Sequence, residues 1–356
     1  MKEFKIGERE IGLDHPAFIV AEMSVNHKQD YAKASAIIKA AAEVGVDAVK
    51  LQTFTPDTIT LPSREPWFLV GGKDNPGKWQ QKTFYDLYQE AYMPWDWQPK
   101  LKQEAEALGL TLFSTPFDVT AVDFLEGINM PCYKIAAYES TDIILLRRVA
   151  KTKKPVIMSV GFATLDEIEL SMQTLRKNDA KDIALLHCLT SYAKKADSNR
   201  TNLRLIPDLR DRFDVVSGFS DNMGGIEAPI LAAAVGASII EKHFILSHED
   251  QTLDDRFSLD PKEFKKMVDV IRYQEELLGK VNYGPQTEAE EYNKRFRRSL
   301  FVSADTKKGE LFTDQNVKSI RPADGLPTKF YDQVMGRRAG RDVKVGTPLS
   351  WALIEK

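Results

Sequence analysis

Between residues 17 and 244 the chain repeats one pattern, a short apolar or β-branched run followed by a longer amphipathic segment. The runs are AFIVAEMS (17–24), DAVKLQT (47–53), LTLFSTPF (110–117), CYKIAA (132–137), PVIMSV (155–160), DIALLHCL (182–189), DVVSGFS (214–220) and ASIIEKHF (237–244). Alternating strand and helix signals are those of repeated βα units around a parallel sheet. Eight such units are the number that closes the sheet on itself, so the predicted fold is α/β, a (β/α)8 barrel of the TIM type. Helix grammar agrees: Thr164-Leu165-Asp166-Glu167 reads as a capping box, and GGIEAPILAAAVGA opens a helix after paired glycines.

Two stretches break the repeat. Residues 63–94, rich in aromatics, Gly and Pro, are too long for a plain βα connection; either a substrate-covering loop or an oligomer contact fits them. Past residue 279 the pattern shifts to turn residues, short strands and a basic run. The predicted organisation is therefore a barrel domain over 1–280, a linker over 281–297 and a small β-rich domain over 298–356. At 356 residues with 43% hydrophobic and 28% charged, the chain has the composition of a large globular core. A net charge of -3 disfavours nucleic-acid partners. Cys132 and Cys188, the two cysteines, lie in apolar runs without CxxC spacing, which fits a reducing compartment. The N-terminus lacks an apolar signal core and no run of about 18 apolar residues occurs, so a soluble, cytoplasmic protein without a membrane partner is expected.

In such barrels chemistry sits at the C-terminal ends of the strands. There the runs end in Glu22, Ser24, Asn26 and His27; Lys50 and Gln52; Ser114, Thr115 and Asp118; Lys134 and Glu139; Ser159; Thr190, Ser191 and Tyr192; Ser220, Asp221 and Asn222; and Glu241, Lys242 and His243. Ionisable groups gathered on one rim of an apolar barrel mark a polar site, because an unpartnered buried charge is costly. Two lysines with several hydroxyls suit a phosphate or carboxylate. Glu22, Glu139 and Glu241 could act as acid, base or hydroxyl acceptor. Each has an ordinary reading too: a single lysine is more often salt-bridged, His243 alone a satisfied core histidine, and Asn26 with His27 a helix cap. His15, His248 and the basic run Lys294, Arg295, Arg297 and Arg298 read as surface.

At these same positions the motifs IVAEMSVNH (19–27), AVKLQTF (48–54), FSTPFD (113–118), YKIAAYE (133–139), GFSD (218–221), EKHF (241–244), GELFTDQNV and IRPADG resemble the sialic acid synthase family over nearly the whole chain. TFYDLYQEAYMPWDW (83–97) and NLRLIPDL are most similar to its pseudaminic acid synthase branch. The resemblance implies a C-terminal antifreeze-like (SAF) domain and a domain-swapped homodimer. It further implies a transferase that condenses phosphoenolpyruvate with an acylamino sugar, a 2,4-diacetamido-trideoxyhexose in this branch, releasing phosphate by C–O cleavage. On that resemblance Lys50, Thr115, Lys134, Ser159, Thr190 and Ser220 surround phosphoenolpyruvate, with Glu22, Lys50 and Lys134 catalytic. Gln52, Glu139, Tyr192, Asp254 and Arg321 of the partner subunit meet the sugar. A divalent metal, commonly Mn2+ with Mg2+ or Co2+ as substitutes, is implied at His243 and Asn222. Two departures stand out. Asn222 occupies the place of a family histidine, and an amide oxygen suits such ions less well than imidazole; Ala137 replaces a common serine. Alternatives from the same residues are a legionaminic or N-acetylneuraminic acid synthase, a Schiff-base aldolase on Lys134, and an impaired sugar-binding homologue.

Overall fold

The computed structural model describes residues 2–71, 81–190 and 201–355. The chain opens with an antiparallel hairpin, β1 (Glu3–Ile6) and β2 (Arg9–Gly12), turning at Gly7, whose φ of 59° suits glycine. Eight parallel strands follow: β3 (Phe18–Glu22), β4 (Ala48–Thr53), β5 (Thr111–Pro116), β6 (Tyr133–Ile135), β7 (Val156–Ser159), β8 (Ile183–Leu189), β9 (Val216–Asp221) and β10 (Ile239–His243). They close in the order β10-β3-β4-β5-β6-β7-β8-β9, and each lies inside one of the predicted runs except for the single residue Asp221 at the end of β9. The closed barrel is thus the fold that the eight-fold repeat predicted.

Side chains alternate across a strand, so every second residue points into the barrel. Outward residues such as Ile19, Val49, Leu112, Tyr133 and Leu185 belong to the large core shared with the helices. Inward residues at the strand starts, among them Phe18, Val20, Phe113, Ile157 and Leu186, form a second core with Phe4, Ile6 and Ile11 of the hairpin. The hairpin therefore plugs the N-terminal end of the barrel, a role not expected from its charged sequence. Gly218 belongs to this interior: a Cβ there would stand 2.5 Å from Ile239 O and 2.6 Å from Leu186 Cδ2, so only glycine lets Leu186 fill the centre.

The predicted capping box at Thr164 and Glu167 starts the helix Leu165–Lys177. In the insertion after β4, a turn at Pro66–Phe68 precedes a helix Phe84–Ala91, whose start is fixed by a reciprocal Thr83–Asp86 box. The barrel unit ends at Gly279, after the helix Pro261–Leu278.

The second compact unit spans Lys280–Lys356. Its antiparallel sheet has the order β12-β11-β13, with β11 (Ser299–Val302), β12 (Val317–Ile320) and β13 (Leu326–Pro327). Leu300, Val302, Phe312, Val317, Val334 and Leu349 supply its own core. The stretch 281–297, read from sequence as linker, carries a short helix Glu288–Asn293 capped by Thr287. Among the described residues no helix is long and apolar enough to cross a membrane.

Candidate active site

The inward rows that begin apolar end polar. Phe18 and Val20 lead to Glu22, Ala48 to Lys50 and Gln52, Cys132 to Lys134, and Ile239 to Glu241 and His243. These groups meet in a cavity of about 560 Å³ at the C-terminal mouth.

Lys50 and Lys134 enter from β4 and β6 and converge on Glu241, each Nζ 3.8 Å from its Oε1. Lys50 also pairs with Glu22 Oε2 at 2.5 Å and donates to Thr115 Oγ1 at 3.1 Å. Lys134 donates to Ser159 Oγ at 2.7 Å and Ile135 O at 3.1 Å, while Ser220 Oγ donates to Glu241 Oε1 at 2.9 Å. The environments of the two lysines differ. Burial presses on both, but at Lys50 the charges of Glu22 and Glu241 outweigh it and raise the pKa, whereas at Lys134 burial prevails and lowers it. Burial pushes Glu241 up as well, yet Lys134 and Lys50 reverse the sign and hold it below the usual carboxylate range.

A line of close polar contacts runs from this cluster to the histidine. Gln52 Nε2 donates to Glu22 Oε1 at 2.9 Å and to Ser24 Oγ at 3.0 Å, and Ser24 Oγ donates to Asp254 Oδ2 at 2.5 Å. Ser24 holds a left-handed backbone, φ 47°, and its N–H donates to Glu22 Oε1, which fixes that carboxylate. Asp254 Oδ2 lies 3.4 Å from His243 Nδ1, and His243 Nε2 lies 3.1 Å from Asn222 Oδ1. His243 Nδ1 is buried without a hydrogen-bond partner among the described residues, and an imidazole nitrogen with an amide oxygen 3.1 Å away makes a donor pair that fits a divalent cation, with the Asp254 carboxylate beside the ring. The one group of three potential metal-ligating side chains found among the described residues, His248, Asp260 and Glu263, is elsewhere. There Asp260 and Glu263 cap the helix Pro261–Leu278 and His248 bonds Asp255 and Glu263, so the cluster is accounted for as a helix terminus.

The insertion forms part of the cavity wall: Val70, Phe84, Leu87, Tyr88 and Ala91 line it together with Phe54 and Phe117. Tyr88 stacks on Phe84 and packs edge-on against Phe54. Where this wall meets the polar floor stands Glu139. Burial pushes its carboxyl up to about 7 against the pull of Lys134, and its Oε2 is buried without a hydrogen-bond partner among the described residues. Burial, then the neighbouring Glu139, push the Tyr88 hydroxyl up to about 12.

Of the residues read from sequence, Glu22, Lys50, Gln52, Lys134, Glu139, Thr190, Ser220, Asn222, His243 and Asp254 line this one cavity. Thr115 and Ser159 stand just behind the lysines and accept from them. Tyr192 lies outside the described residues, and Arg321 is an exposed residue of the second unit, just after β12. Asn26 and His27 are structural. Asn26 ties Phe244 O and Ser258 to the first loop, and His27, pulled down to about 4 by burial, accepts from Gln29 N and packs on Trp97. Lys242 points outward, where it pairs with Asp221 at 2.8 Å and bonds Met223 O, bracing the turn that carries Asn222. Sequence reasoning did not place Glu241 between the lysines or Ser24 as the link from Gln52 to Asp254. The signal was the period-two spacing of Glu22 with Ser24 and of Glu241 with His243.

A model of the NeuB family matches residues 37–283, and one of the SAF domain matches residues 297–355. The chain belongs to the NeuB family. This NeuB-family chain is 41% identical over 341 residues to the pseudaminic acid synthase of Helicobacter pylori, covering 96% of the chain and 98% of that relative. It is 39% identical over 336 residues to the pseudaminic acid synthase of Campylobacter jejuni, covering 94% and 96%. Its fold is similar to the crystal structure of an N-acetylneuraminic acid synthetase from Leptospira borgpetersenii in complex with citrate. The TM-score is 0.71 at 30% identity, over 82% of this chain and 96% of that one.

Proposed function

We propose that this chain condenses phosphoenolpyruvate with a 2,4-diacetamido-trideoxyhexose to give a nine-carbon 2-keto acid and phosphate. Family membership and relatives named pseudaminic acid synthases make it an enzyme, a transferase of the nonulosonic acid synthase type. The observation that carries the finer reading is the convergence of Lys50 and Lys134 on Glu241 within a ring of hydroxyls.

In this reading the two ammonium groups take the phosphate and carboxylate of phosphoenolpyruvate, and Thr115, Ser159, Thr190 and Ser220 add directed hydroxyls. C3 of the enol attacks the carbonyl carbon of the open-chain sugar, forming the C–C bond, and the carbonyl oxygen gains a proton. Water adds at C2, the C2–O bond breaks, and phosphate leaves with that oxygen. Glu22 is the leading acid/base group, since Lys50, Gln52 and the Ser24 N–H hold it at the mouth. Glu139, Gln52, Asp254 and Tyr192 contact the sugar, joined by Arg321 of the partner subunit in a swapped cytoplasmic homodimer.

Two lysines already face two carboxylates, so phosphoenolpyruvate brings uncompensated negative charge. A divalent ion, Mn2+ by preference, fits His243 and Asn222, and when bound supplies Lewis-acid polarisation of the sugar carbonyl. His243 and Asp254 orient the sugar end of the site whether or not the ion is bound.

The test is phosphate release from phosphoenolpyruvate with a panel of 2,4-diacetamido-trideoxyhexoses and N-acetylmannosamine, with and without chelator. Release with a diacetamido sugar is expected, and silence with every sugar would overturn the proposal. Insensitivity to chelator would remove the metal alone. Borohydride with the keto-acid product is expected to leave Lys134 unmodified; an adduct there favours Schiff-base chemistry instead.

A further inference from the structure

We propose that Val70 and the helix Phe84–Ala91, within the insertion after β4, form the specificity element of this enzyme. Their apolar wall of Val70, Phe84, Leu87, Tyr88 and Ala91, with Ile59 beside it, receives methyl-bearing substituents of the sugar, deoxy or acyl, and turns away hydroxyl-bearing ones. The inference rests on the proposed synthase reading and adds the part of the substrate that the wall selects.

The cavity has two chemically opposed halves. The floor is built from strand ends and holds Glu22, Lys50, Lys134 and Glu241; among the described residues, those of the insertion that face it are apolar apart from the Tyr88 hydroxyl. A reacting carbonyl belongs with the acids and bases of the floor, which leaves the far end of an extended sugar against the wall. A hydroxyl carried there loses its water and finds no partner on Val70, Leu87 or Ala91, whereas a methyl group loses nothing. Among the described residues two polar groups stand at the edge of the wall: the Oε2 of Glu139, which has no hydrogen-bond partner among them, and the Tyr88 hydroxyl beside it. That edge matches an acylamino group, whose amide can bond to Glu139 or Tyr88 while its methyl lies on Leu87 and Phe84. The wall is also rigid where it matters. The Thr83–Asp86 box fixes the start of the helix Phe84–Ala91, Leu87 and Ala91 are buried, and Tyr88 is held between Phe84 and Phe54.

The experiment compares kcat/KM for a 2,4-diacetamido-trideoxyhexose with that for N-acetylmannosamine, using the full-length enzyme, its Leu87→Asn and Phe84→Gln variants, and Phe84→Leu as the apolar control. Wild type is expected to favour the diacetamido sugar by about 10²-fold, the usual scale for a pocket that accepts a methyl and meets a hydroxyl. Leu87→Asn or Phe84→Gln lowers that ratio about tenfold, and Phe84→Leu keeps it. Phe84 is half-buried and its variant tolerates substitution if Leu87→Asn fails to fold. A wild-type ratio near one, or variants that lose both activities in equal proportion, overturns the inference while the synthase reading stands. No phosphate release with any sugar overturns both.

Discussion

The two ends of the barrel are made from the same strands and do opposite things. At the N-terminal end the inward residues are Phe18, Phe113, Ile157 and Ile239, sealed by Phe4, Ile6 and Ile11 of the hairpin. Two to four residues further along the same rows stand Glu22, Thr115, Ser159 and Glu241, at or just behind the surface of a cavity of about 560 Å³. One end lowers the free energy of the fold through buried apolar area, and the other spends some of it on charges held out of water. A substitution should therefore separate stability from activity according to its end.

The largest effect is expected from Lys134→Met. Phosphate release should fall at least ~10²–10³-fold, the usual scale for losing a charge-stabilising donor. Glu241 keeps Lys50 and Ser220 as partners in that variant, so the protein should stay folded; near-normal kcat/KM would overturn the assignment of the mouth. Ile6→Ala at the other end inverts the pattern. Denaturant titration should show a loss of about 2–5 kcal/mol, with unchanged kcat/KM wherever the variant is still folded. Lost activity in a folded Ile6→Ala protein would show that the ends are not separable.

Asn222→His puts a second imidazole beside His243 and is expected to tighten Mn2+ about 10–100-fold, read by calorimetry. An unchanged or weaker affinity would place the ion elsewhere. Glu139 gives the smallest and most diagnostic effect. Burial raises its carboxyl from 4.5 to about 7, so the native state keeps a proton that the unfolded chain loses. This part of the stability is complete below pH 4.5 and is lost as pH rises toward about 7. Glu139→Gln should flatten that decline and remove an inflection near pH 7 from kcat/KM. Profiles identical to wild type would mean that another group titrates there.

How much of this was legible in the sequence follows the same division. Strands buried on both faces leave continuous apolar runs, which made all eight visible, and ionisable residues at their ends made the mouth visible. The hairpin was not, because β1 and β2 are four residues each and their burial is owed to the barrel bottom rather than to their own pattern. The insertion was read as a loop of two possible uses, since aromatics pack equally well on a cavity or a partner; the structure puts Phe84, Leu87 and Tyr88 in the cavity wall. Depth within the mouth was also hidden. Spacing put Thr115 and Ser159 on the inward rows but could not reveal that both hydroxyls accept from the lysines behind the cavity surface.

The most direct test of the mouth as a condensing site follows one oxygen. Phosphoenolpyruvate labelled with oxygen-18 at the bridging position is turned over with a 2,4-diacetamido-trideoxyhexose, and both products are analysed by mass spectrometry. The expected result is one labelled oxygen in each released phosphate and none carried into the keto acid from that position. Label retained in the keto acid, with unlabelled phosphate, would contradict attack by the enol with C–O cleavage at Lys50 and Lys134.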